Sequence, residues 1–124
     1  MKKSVPSEYK ECKWFYEWAC VHSRILREYI IKNVNEGKRS SIIGKLLKLI
    51  GMRPGLPDYH LPIKNKYHSG LWIEMKRTDQ RKKKKDEEQD KWIQKLTQIG
   101  HYATYAYGWE DASKIVVDYL NDKI

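Results

Sequence analysis

The chain predicts an α/β domain, on three observations. Pro57-Asp58-Tyr59-His60-Leu61 and Leu71-Trp-Ile-Glu-Met-Lys76 are strand-like runs separated by a short polar gap, and they read as a hairpin. Ala112, Ile115, Val116, Tyr119 and Leu120 recur at i, i+3, i+4, i+7 and i+8, an amphipathic helix. Between these lie a helix starting near Asp86 and a β-prone segment, Tyr102 to Tyr107. The predicted order is helix, a segment open between strand and helix, helix, strand, strand, helix, strand, helix.

The first helix is capped by Ser7 and runs to about His22, with Trp14, Phe15, Trp18 and Ala19 as its apolar stripe and Cys12 at the margin. Glu11 falls on that stripe. A carboxylate there is costly unless it meets a cation, a metal or several donors, or lies at the edge and reaches water. Glu8 and Glu17 fall on solvated positions. Residues 25–34 fit a strand or a continuing helix, because the run is short. After a turn-rich stretch, Ser41 to Ile50 forms a helix with Ile42, Ile43, Leu46, Leu47, Leu49 and Ile50, stopped by Gly51. Lys45 and Lys48 project from its other side. Pro54, Gly55 and Pro57 forbid further helix and lead into the strand after Asp58. The helix from Asp86 to Gly100 turns Trp92, Ile93, Leu96 and Ile99 to the core. Gln89, at its third position, either completes a capping box with Asp86 or orients Lys76 or an attacking water. The tyrosines of 102–107 read as core, with base stacking as the alternative.

With 124 residues the chain is read as one domain, 1–124. A formal net charge of +9 and a pI near 9.5 favour a polyanionic partner, nucleic acid or an anionic membrane surface. A hydrophobic content of 40% argues against disorder. No apolar run approaches the ~18 residues of a membrane span, and the amino terminus lacks a secretion signal, so a cytoplasmic protein is expected. Cys12 and Cys20 on one helix would stand roughly 12 Å apart, too far for a disulfide. His22, His60, His68 and His101 show no paired ligand spacing, which argues against zinc.

The chemistry concentrates in the hairpin. With its turn near Lys66, Asp58 faces Glu74, Cβ atoms roughly 5 Å apart, and Lys76 lies on the same side. A register shift of two keeps all three together. Two acids can hold a hard divalent cation through oxygen, and a lysine can stabilise charge or position a water beside a phosphodiester. The bland alternative is an exposed hairpin whose charges face water. The run Arg77 to Lys85 reads as a solvated loop, which is compatible with lying along a phosphate backbone.

Taken together, the chain resembles the VRR-NUC family, a branch of the PD-(D/E)xK nucleases, from about Glu8 to Leu120. The carriers are Glu11 before the Phe15/Trp18 stripe, Asn35-x-Gly37-Lys38-Arg39, Gly51-Met-Arg53-Pro-Gly-Leu-Pro-Asp58, Gly70-Leu-Trp-Ile-Glu74-Met75-Lys76-Arg77, Gln89-x-x-Trp92 and Gly100. The resemblance implies a restriction-endonuclease-like core, a mixed β-sheet flanked by helices, and cleavage of DNA phosphodiesters with Mg2+ or Mn2+. It implies that Asp58, Glu74 and the Met75 carbonyl hold the metal, with Glu11 acting through water. Lys76 would act on the nucleophilic water, and Gln89 would support it. The positions expected to meet DNA are Asn35, Lys38, Arg39, Arg53, Arg77, Arg81, Lys82, Lys83, Lys84 and Lys85. Cys12 departs from the family, whose members often carry glutamine after the first glutamate. Small free-standing members, typically of phages, are similar to Holliday-junction resolvases, which implies a homodimer acting on branched DNA in a bacterial or phage-infected cytoplasm. Two other readings stand beside this one. One is a broad-specificity nicking or single-strand nuclease; the other is a basic nucleic-acid-binding module whose acids do no catalysis.

Overall fold

The computed structural model describes residues 4–33 and 41–124. Asn35, Lys38 and Arg39 therefore lie outside the described residues. The elements in chain order are α1 (Glu8–His22), α2 (Arg24–Tyr29), β1 (Ile31–Lys32), α3 (Ser41–Leu49), β2 (Tyr59–Leu61), β3 (Leu71–Lys76), a 3-10 turn (Thr78–Gln80), α4 (Glu87–Gln98), β4 (Tyr102–Tyr107) and α5 (Trp109–Leu120). The ambiguous segment thus resolves into one and a half turns of helix followed by a two-residue strand. Ser23 separates α1 from α2: its extended backbone breaks the helix, and its hydroxyl accepts from the Leu26 amide to start the next.

The sheet is mixed, in the order β1-β2-β3-β4. β1/β2 and β2/β3 are antiparallel, and β3/β4 is parallel, with α4 as the crossover. Tyr59 pairs with Ile73 and Leu61 with Leu71, the register expected from a turn near Lys66. The connection itself is anchored. Asn65 donates to the carbonyls of Tyr119 and Ile124 and accepts from the amides of Tyr67 and His68.

Strand alternation divides β3. Leu71, Ile73 and Met75 join Phe15, Ala19, Val116 and Tyr119 in the core between the sheet and the α1/α5 pair. Trp72, Glu74 and Lys76 point to the opposite face. In the parallel register Glu74 and Lys76 lie beside Tyr105 and Tyr107. Ala106 is the buried member of β4, whereas its tyrosines are half-buried.

Three expectations about apolar faces are corrected. The buried line of α1 is Glu11, Phe15, Ala19, at a spacing of four, because α5 packs along it, and Trp14 is exposed. In α4 only Leu96 is buried, and Ile99 is 70% exposed because the helix has already ended at Gln98. The third concerns α3, which has the expected amphipathic pattern and no buried residue at all; Ile42, Ile43, Leu46, Leu49 and Ile50 are each more than half exposed.

The loop before β2 is held against α4. Gly55 has φ +84°, and a Cβ there would sit 2.7 Å from the backbone carbon of Glu88. Trp92 Nε1 donates to the Pro54 carbonyl at 3.0 Å. The first turn of α4, which carries Gln89, is thereby pressed onto the loop that delivers Asp58. Gly55→Ala is expected to lower stability by about 2–3 kcal/mol, combining left-handed strain with a backbone clash, as read by chemical denaturation. A loss below about 0.5 kcal/mol would show that the loop simply moves away.

Candidate active site

Asp58 and Glu74 are the acids of the site, and both are almost fully buried, at 3% and 2% exposure. Asp58 precedes β2 by one residue, and the ladder register extended by one step sets it opposite Glu74. Its Oδ2 accepts from the Met75 amide at 2.7 Å, and its Oδ1 meets the Lys32 ammonium at 3.3 Å. Asn33 fastens the turn, its amide N–H donating to the Asp58 carbonyl and its side chain to the Pro57 carbonyl. In a strand the N–H and C=O of one residue point the same way, so the Met75 carbonyl opens toward Asp58.

Gln89 bridges the remaining two groups. Its side-chain oxygen accepts from Lys76 Nζ at 2.6 Å and its Nε2 donates to Glu74 Oε2 at 3.2 Å. Chemistry dictates this orientation, because an ammonium only donates and a carboxylate only accepts. Asp86 caps α4 by accepting from the amides of Glu88 and Gln89. The Gln89 side chain is thus directed at Lys76 and Glu74. Beside it, Tyr105 donates to Asp90 Oδ1 at 2.5 Å. Burial, the Asp90 hydrogen bond and the nearby Glu74 push that phenol far above its ordinary range, so it remains protonated.

The carboxylates of α1 diverge from expectation. Glu8, read as solvated, is half-buried, and it lies within electrostatic reach of Lys76, Asp58, Arg77 and Lys32. Burial raises its pKa above the usual carboxylate value, as does Asp58, while Lys76 opposes the rise. Glu11 is buried as expected, but its Oε1 accepts from the Trp109 amide at 3.2 Å. Gly108, at the cap position of α5, has no side chain to accept that amide, so Glu11 supplies a capping carboxylate from another helix. Lys32 was not foreseen; its pairing with Tyr59 puts it beside Asp58, which a two-residue strand does not announce in sequence.

The basic positions scatter around this centre. Arg81 lies over the Tyr107 ring at 4.5 Å and 3.7 Å from Asp111, and Lys85 lies over Tyr105 at 4.8 Å. Lys76, Gln80, Lys83, Lys84, Lys85 and Tyr107 line one small pocket. Lys82 is exposed. Arg77 pairs with Asp79, and Arg53 covers Trp92 on the α4 side.

Buried acids on a mixed sheet, with a lysine two residues beyond the second acid, define a candidate phosphodiesterase centre. Among solved structures, one described as "VRR_NUC domain protein" superposes on this chain with a TM-score of 0.80, covering 95% of this chain and 91% of that chain at 19% identity. The chain therefore has the VRR-NUC fold. No family model matches the sequence, and no curated protein matches it.

The two α1 carboxylates should separate on mutation. Glu11→Ala is expected to cost about 1–2 kcal/mol of stability through the lost cap, with Glu8→Ala nearly neutral in the same denaturation assay. Equal losses would show that Glu11 does not hold α5.

Proposed function

We propose that this chain is a Mg2+- or Mn2+-dependent endodeoxyribonuclease that hydrolyses DNA phosphodiesters, acts as a homodimer and prefers branched DNA. The observation that carries this reading is the buried Asp58/Glu74 pair joined through Gln89 to Lys76. Structural hydrogen bonding needs no second buried acid at this point and no lysine aimed at it. The donor set fits a hard cation, with two carboxylates and a strand carbonyl all offering oxygen. Among the described residues no group of three or more His, Cys, Asp or Glu side chains is arranged to hold a metal. Mg2+ keeps several waters and is bound through one or two carboxylates, which Asp58 and Glu74 would supply. Such a cation supplies Lewis-acid polarisation of the phosphate and a more acidic water.

In this reading Asp58, Glu74 and the Met75 carbonyl would hold the ion, and the Lys76 ammonium donates to a non-bridging phosphate oxygen, offsetting the charge that builds there and orienting the phosphate toward the attacking water. The water oxygen bonds to phosphorus as its proton passes to solvent, the P–O bond to the leaving deoxyribose oxygen breaks, and that oxygen takes a proton from solvent. Gln89 keeps the Lys76 ammonium turned to the reacting atoms. Glu8 adds a carboxylate near Lys76, while Glu11 acts one turn further along by positioning α5. Arg81 to Lys85 and Arg77 contact backbone phosphates without reading sequence. No helix among the described residues is long and apolar enough to cross a membrane.

Lys76→Ala is expected to slow cleavage of a four-way junction by ~10²–10³-fold or more, while DNA affinity and thermal stability stay near wild type. Cleavage at the wild-type rate would remove Lys76 from the mechanism. Calorimetric titration with Mn2+ should show one site in wild type and its loss in Asp58→Ala; equal binding would refute the ligand assignment. Neutralising Lys82 to Lys85 should weaken binding to all DNAs alike and flatten its salt dependence by roughly 0.9 log units per lost duplex contact. An unchanged slope would make the run a solvated loop.

A further inference from the structure

The amphipathic helix α3 has an apolar face that no other described element buries, and elsewhere on the surface there is an open apolar cleft. The cleft has a volume of about 680 Å³ and is lined by Trp14, Glu17, Trp18, Val21 and His22 of α1, with Trp109 of α5 as its other wall. Val21 is 90% exposed in it, and Leu49 of α3 is 82% exposed. Neither surface is at the acidic site.

The two helix faces share one spacing. On α1, Trp14, Trp18, Val21 and His22 stand at i, i+4, i+7 and i+8, with Glu17 at i+3 on the flank. From α3 into the residue after it, Ile42, Leu46, Leu49 and Ile50 repeat that spacing, with Lys45 at i+3 on the same flank, at the edge of this stripe rather than on the far side of the helix as expected. Each stripe is therefore ~12 Å long. Laying one against the other in antiparallel fashion sets Leu46 over Trp18 and brings the like flanks together, so that Glu17 meets Lys45. The same arrangement of two α3 helices would set Lys45 against Lys45, a like-charge contact. Charge thus favours the α1 cleft over an antiparallel second α3 as the seat of this helix.

We infer that the α3 helix of a second copy of this chain docks in the α1/α5 cleft, and that the exchange is reciprocal. A twofold pair then fills two clefts with two helices and leaves neither surface open. Two such contacts, each with an aromatic wall and an aliphatic insert, have the composition of the apolar centre of a stable interface. This inference rests on the paired-protomer reading above and names its interface.

Light scattering across a micromolar dilution series tests it, with circular dichroism to confirm that each variant is folded. Wild type is expected to be dimeric. Leu46→Asp and Val21→Asp should each raise the dimer dissociation constant by ~30-fold or more. Lys45→Glu and Glu17→Lys should each weaken the pair, and combining them should restore it. Dimers unaffected by Val21→Asp but broken by Leu46→Asp would overturn the proposal in favour of α3 pairing with α3. A wild-type monomer throughout the series would overturn it outright. Mn2+-dependent cleavage of linear duplex, read in parallel, keeps the two claims apart. Failure of the interface leaves wild-type cleavage intact, whereas failure of the nuclease reading abolishes it without changing the dimer.

Discussion

Two carboxylates buried side by side are the constraint around which this molecule is organised. Like charges out of water repel strongly and lack solvation, so each must be met by donors or cations. Asp58 takes the Met75 amide and the Lys32 ammonium, and Glu74 takes Gln89, which is itself held by Lys76. These partners come from β1, β3 and α4, so the acids can be accommodated only when strands and crossover helix are assembled. Asn33, which ties the Asp58 turn to the end of β1, and Gly55, which lets the preceding loop touch α4, serve the same end.

The first helix divides its acids between two tasks. Glu8 and Glu11 are three residues apart and so project from neighbouring positions on α1. One reaches the charged cluster at the end of β3, and the other reaches the amide of Trp109. Gly108 makes the second contact possible. Its φ of +94° starts α5 sharply, and a Cβ there would lie 3.1 Å from the Glu11 carboxylate and 2.8 Å from Thr78. The close approach of α1 to α5 therefore depends on a missing side chain as much as on a carboxylate.

The basic run and the apolar face of α3 occupy different segments of the chain. The basic run and the tyrosines of β4 surround Lys76, where cation–aromatic contacts set the directions of Arg81 and Lys85. Exposed apolar groups gather on α3 and at Trp14 and Val21 of the α1/α5 groove, with others such as Tyr9, Ile25, Tyr67 and Ile99 spread over the remaining surface.

Local pattern by itself determined most of the fold. The prolines and glycines between residues 54 and 57, the 3.6-residue period of 112–120 and the cap at Asp86 act over a few residues, and each placed an element correctly. The hairpin register follows from strand length and turn position, and it alone sets Asp58 opposite Glu74 with Lys76 on the same side. Other features were decided only by tertiary packing. The apolar stripe of α1 reads in sequence as Trp14, Phe15, Trp18 and Ala19 with Glu11 on it, and the side on which α5 docks kept Glu11, Phe15 and Ala19 buried and left Trp14 exposed. Gln89 had two possible partners, and the approach of β3 chose Lys76 and Glu74 over the cap. Lys32 entered through a two-residue strand too short to carry a period, and Glu8 through the angle at which α1 crosses the sheet. The amphipathic pattern of α3 was plain in sequence, but a pattern states that a face is apolar and not what covers it. Periodicity reports on neighbours within one element; contacts between distant elements exist only once the chain has folded.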